Sequence, residues 1–176
     1  MVAGATTSHL GLMSHCVFTW KVFRPGARWA RLIVGASALA AVIGVAGSYQ
    51  LGIDAVGSEL AARPWTLFLM AVATLTFAWS GGESLAYHAK LRRRLALGLI
   101  EPVVVNRLLL WGIVSTVNTL GCLVNGFFTW TSPLSVLDPA ALVVSGAIGA
   151  VVMILTFLPP AGYLRLIEAR HAARAA

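Results

Sequence analysis

Five stretches of this chain contain no charged side chain: residues 1–20, 32–53, 64–82, 108–137 and 139–164. A helix needs about 20 apolar residues to cross roughly 30 Å of hydrocarbon, and within lipid only a helix or a closed barrel satisfies its own backbone. Four of the stretches therefore have the length of a membrane span. The first, "MVAGATTSHLGLMSHCVFTW", has Thr, Ser and His early and no basic leading segment. That argues against a secretory signal and predicts either a fifth span or a segment lying in the interface. Composition agrees, with 59% hydrophobic residues and only 11% charged, against about 25% charged in a soluble domain. So few charges leave too little polar surface to coat a globule.

The basic residues set a topology. Lys21, Arg24, Arg28 and Arg31 lie between the first and second stretches, and Lys90, Arg92, Arg93, Arg94 and Arg107 between the third and fourth. Arg165, Arg170 and Arg174 follow the fifth, and the intervening connections hold Asp54, Glu59 and Asp138 with only Arg63. Lys and Arg accumulate in cytoplasmic loops, so the bias predicts an all-α, polytopic transmembrane bundle with its amino end outside and its carboxyl end inside. It has five spans, or four if the first segment is only interfacial. A net charge of +7 then reports topology and not nucleic acid. Trp20, Trp29, Trp65, Trp79, Trp111 and Trp130 all fall near span ends, where indole prefers to sit. The expected spans are about 3–20, 32–50, 64–80, 104–130 and 140–159, forming one transmembrane domain over 1–176 in a bacterial cytoplasmic (inner) membrane.

Ser80-Gly81-Gly82-Glu83 has capping-box spacing, which predicts a break and a separate cytoplasmic helix over 83–98 with Gly98 as its stop. Pro102 suits the first turn of the fourth helix. The basic run Lys90, Arg92, Arg93 and Arg94 would face the anionic leaflet, where each nearby cation is worth about 1 kcal/mol. Pro159-Pro160 ends the last span, with a short surface helix over 163–174.

Candidate sites are sparse. No Asp, Glu, Lys or Arg lies centrally in an expected span, which counts against an ion-driven carrier. His9 and His15 are six residues apart, about 120° around a helix, so they cannot share one ligand. Either one alone would suit the single axial position of a chlorin pigment, and otherwise each is an imidazole bonded to a neighbouring helix. Cys16 and Cys122 show neither disulfide nor zinc spacing, and no metal site or resident cofactor is expected. Trp111, Ser115, Asn118, Cys122, Asn125 and Thr129 step by 4, 3, 4, 3 and 4 along one face. Two asparagines would not be turned to lipid, so this stripe looks inward or toward a partner. Ser37, Ala41, Gly44 and Ser48, with Ser145/Gly149 and Gly146/Ala150, form small-residue faces that allow close helix approach, within the chain or between chains.

Three phrases, "VFRPGARWAR" (22–31), "LAYHAKLRRRLALGLIEPVVVNRLLLWG" (85–112) and "FLPPAGYLR" (157–165), resemble the later part of a group of bacterial seven-helix integral membrane proteins that have no assigned activity. The resemblance runs from about Val22 onward and implies that the first two spans of that group are missing here, leaving five. It transfers no catalytic or binding residue. No hydrolase, nucleotide-binding or metalloprotease motif is present in the sequence. The expectation is a non-catalytic accessory subunit that packs against other membrane subunits through the polar stripe or the small-residue faces. The alternatives are a sensor with a basic cytoplasmic output helix and, less favoured, a carrier or channel for a neutral solute.

Overall fold

A computed structural model describes residues 2–54, 59–131, 151–152 and 154–175, with side-chain surroundings over 10–47, 63–131, 151–152, 154–167 and 169. Every regular element among the described residues is a helix: α1 (Val2–Phe23), α2 (Arg28–Asp54), α3 (Glu59–Ala96), α4 (Pro102–Thr131) and α5 (Ala161–Ala175). Residues 151–152 and 154–157 are also helical, and the chain breaks at 158–160, where Pro159 and Pro160 cannot continue a helix. Three segments are long and apolar enough to cross a membrane: Arg28–Gly47, Arg63–Ala96 and Pro102–Thr131. Most of the expected fifth span, over residues 140–150 and 153, lies outside the described residues.

The expected break at Ser80-Gly81-Gly82-Glu83 does not occur. Helix α3 runs unbroken for 38 residues, so 83–98 is not a separate helix. The cause is packing. Ser80 is fully buried rather than capping, and a Cβ on Gly81 would lie 3.1 Å from Thr116 Oγ1 and 3.4 Å from the Thr116 backbone nitrogen. Small residues here bring α3 against α4. The stop at Gly98 is as expected. Gly98 has φ 70°, its N–H donates to Leu95 O at 3.0 Å, and the N–H of Leu99 donates to Arg94 O at 3.0 Å. This pair of bonds is a Schellman motif with glycine in the left-handed position. Pro102 opens α4.

The described residues form two compact units. One contains α1, α2, α3 up to Ser80 and α4 from Val117. In it, Leu12, Cys16, Thr19 and Phe23 make a buried stripe along α1 at steps of 4, 3 and 4. The Cys16 thiol lies beside the hydroxyls of Ser37 and Thr76. Between α2 and α3, Gly44 packs directly on Leu69, and a Cβ on Gly47 would lie 2.6 Å from two atoms of the Trp65 indole. The other unit contains α3 from Gly81, α4 up to Thr116 and the described carboxyl-terminal residues. In it, Gly112 lets α4 approach Leu85 and Ser84, and Trp111 meets Phe157 edge to face at 5.5 Å.

The core is inverted relative to that of a soluble protein. The fully buried side chains are small ones, Thr19, Cys16, Ser80, Ser84 and Ser115, whereas Leu39, Leu75, Leu120 and Phe127 face outward. Bulky apolar groups outside and small groups between helices suit a lipid solvent, where close van der Waals approach replaces the hydrophobic effect as the force between helices. Several hydroxyls donate within their own helix: Thr74, Thr116 and Thr156 donate to the carbonyls of Met70, Gly112 and Val152 at 2.7, 2.8 and 2.7 Å. Basic side chains near helix ends lie over aromatic rings, Lys21 over Trp20 at 4.5 Å and Arg63 over Trp130 at 5.6 Å. Such pairs suit the headgroup level.

Candidate functional site

In the second unit, three helix faces converge on a cavity of about 510 Å³, within the size range of small-molecule sites. Helix α3 contributes His88, Arg92 and Leu95, which fall at i, i+4 and i+7. From α4 come Pro102, Val105, Asn106 and Leu109, again one face at i, i+3, i+4 and i+7. Helix α5 adds Tyr163, Leu166 and Ile167. The short turn after Gly98 brings the first turns of α4 opposite the end of α3, and the Pro159-Pro160 break starts α5 at the same place.

Two hydrogen bonds hold the walls. His88 Nδ1 lies 3.0 Å from Val105 O. Because a carbonyl only accepts, Nδ1 carries the proton and donates, tying α3 to α4. Asn106 Nδ2 donates to the Tyr163 hydroxyl, tying α4 to α5. The Tyr163 oxygen thus serves as acceptor, and its own proton is left to donate elsewhere. No carboxylate is among the described residues lining the cavity. Arg92 is exposed at its rim, and the positive ends of two helix dipoles, at Pro102 and Ala161, lie beside it. The chamber is therefore polar and cationic on one side, and apolar along Leu95, Leu109 and Ile167.

Of the basic run, only Arg92 faces this cavity. Lys90, Arg93 and Arg94 are exposed and point elsewhere, as offsets of −2, +1 and +2 on a helix require. The fourth-helix stripe faces its own chain. Trp111 and Ser115 are buried, Asn118, Cys122, Asn125 and Thr129 are half-buried, and Thr129 Oγ1 reaches Met70 Sδ at 4.0 Å. The outward positions Ile113, Val117, Leu120 and Val124 are exposed. Gly44 is likewise covered by Leu69 of the same chain, while Gly149 lies outside the described residues. The sequence left these residues facing either inward or a partner; α3 meets the stripe at Thr129 and meets Gly44 through Leu69. His15 is half-buried with its ring edge on Phe77 at 5.1 Å, and the side chain of His9 lies outside the described residues.

Sequence reading missed His88, Asn106 and Tyr163 as a group, although the i, i+4 pair His88/Arg92 was visible in it. It also placed Glu83 in a wet connection, whereas the unbroken α3 keeps Glu83 only 9% exposed. Comparison of the chain with protein-family models, with curated proteins and with solved structures finds no match.

Proposed function

We propose that this is a non-catalytic, five-span protein of the bacterial cytoplasmic membrane, amino end outside and carboxyl end inside. In this reading it acts as a membrane sensor or transducer through the basic end of α3. The observation that carries it is the continuity of α3. Its span-length apolar part and the segment bearing Lys90 to Arg94 form one helix without a joint, so a shift of the helix within the bilayer is delivered to the basic end. The cavity at that end supplies a place where such a shift is read or set. The accessory-subunit reading is the second. It is favoured by the outward aromatic end of α4, where Phe127, Phe128 and Trp130 are 63%, 51% and 68% exposed.

Thiol accessibility tests the topology. In a background with Cys16 and Cys122 replaced by alanine, a membrane-impermeant maleimide should label Ser58→Cys in intact spheroplasts and Arg93→Cys only after lysis. The opposite pattern would overturn the orientation. Mild-detergent extraction with mass spectrometry then separates the two roles: a fixed set of larger subunits favours the accessory reading, and a chain running alone near 18.6 kDa plus detergent favours the sensor.

A further inference from the structure

We infer that the cavity between α3, α4 and α5 is a binding site for the headgroup of an anionic phospholipid. Arg92 takes the phosphodiester, and Asn106 and Tyr163 take its polar neighbours. A guanidinium suits the phosphate because its fork of N–H donors matches two oxygens at once. The second N–H of Asn106 and the free proton of Tyr163 add neutral donors at the same wall. None of the described lining residues is a carboxylate. The apolar remainder, Leu95, Leu109 and Ile167, is surplus for a free anion but suits the glycerol and upper acyl carbons of a lipid. Location is compatible with that occupant, because the cavity lies at the ends of two helices long and apolar enough to cross a membrane, Arg63–Ala96 and Pro102–Thr131. The inference rests on the transducer reading for its purpose, though not for its chemistry, since lipid binding in detergent is independent of which side α3 faces.

The test uses the full chain in an uncharged detergent at about 0.3 M salt, where the Debye length is short enough to screen exposed charges. Phosphatidylglycerol with a fluorescent tail is titrated beside phosphatidylcholine with the same tail. Saturable binding of phosphatidylglycerol at one site per chain is expected. Losing a charged hydrogen-bond donor should weaken it about tenfold in Arg92→Gln, against less than about twofold in Arg93→Gln or Lys90→Gln, as for other exposed charges. Leu109→Trp, which fills the cavity without touching charge, should abolish binding. Equal losses in Arg92→Gln and Arg93→Gln would mean a diffuse surface charge and overturn the site. Equal binding of phosphatidylcholine would overturn the phosphate preference, and full displacement by millimolar inorganic phosphate would overturn the lipid as occupant. A failed accessibility test with intact lipid binding would remove the transducer reading and leave this site standing.

Discussion

Replacing Gly47 with alanine should separate the two ways a glycine acts in a membrane helix. The new Cβ would lie 2.6 Å from Cδ2 and Cε2 of Trp65 and 2.8 Å from Cε3, whereas carbon atoms prefer about 3.5–4.0 Å. The indole is rigid, so about 1 Å must be found by swinging the whole ring or parting α2 from α3, at a cost of about 1–3 kcal/mol for overpacking. Against this, alanine gains about 0.8–1 kcal/mol in helix propensity. Gly35, on the same helix with nothing within 4 Å, receives the gain without the clash. Gly47→Ala should therefore be about 1–3 kcal/mol less stable than Gly35→Ala. The readout is the reaction of Cys16, fully buried in the same unit, with a thiol reagent as SDS replaces mild detergent, in a Cys122→Ala background. Adding Trp65→Ala to both variants should close the gap, because the pairwise term then has no partner. If the two glycine variants lie within about 0.5 kcal/mol of each other, the close approach of α2 and α3 at this point is refuted.

The same assay, with thiols placed in the unit concerned, checks three further expectations. Gly82, with open space around it, should accept alanine with a gain of up to about 1 kcal/mol, while Gly81→Ala loses that gain against Thr116. Gly98→Ala should cost about 1–2 kcal/mol because the left-handed φ of 70° crowds a Cβ, and Gly98→Asn less. Ser115→Leu should cost about 1–3 kcal/mol by overfilling a fully buried position. Val117→Leu, two residues on and exposed, should stay within about 0.5 kcal/mol.

Much of the fold was legible because lipid imposes a one-dimensional rule. Span-length apolar segments with charges between them can be counted along a chain, and α2, α3 and α4 appear where that count places them. The stops were legible for a similar reason, since Gly98 and Pro102 act through their own backbone geometry. The break at Ser80 to Glu83 misled because a capping box and a close-packing face use the same small residues. Which role Gly81 plays depends on whether a neighbour lies 3–4 Å away, and the α4 residues Ser115 and Thr116 settle that from more than thirty positions along the chain. For the polar stripe the sequence left an inward face and a partner-facing one open, because a periodicity shows which positions share a face and not whose surface meets it.

The cavity lay furthest from view. His88, Asn106 and Tyr163 are separated by up to 75 positions and become neighbours only when two helix starts and one helix end meet. By itself, the sequence determined that the chain is helical and where its long apolar helices lie, since both follow from local propensity and transfer free energy. Tertiary structure alone decided that α3 stays whole, that Gly44 and Gly47 pack on Leu69 and Trp65 of the same chain, and that Arg92 rather than its basic neighbours faces a chamber. Those outcomes depend on pairwise distances between segments, which no property of any single segment contains.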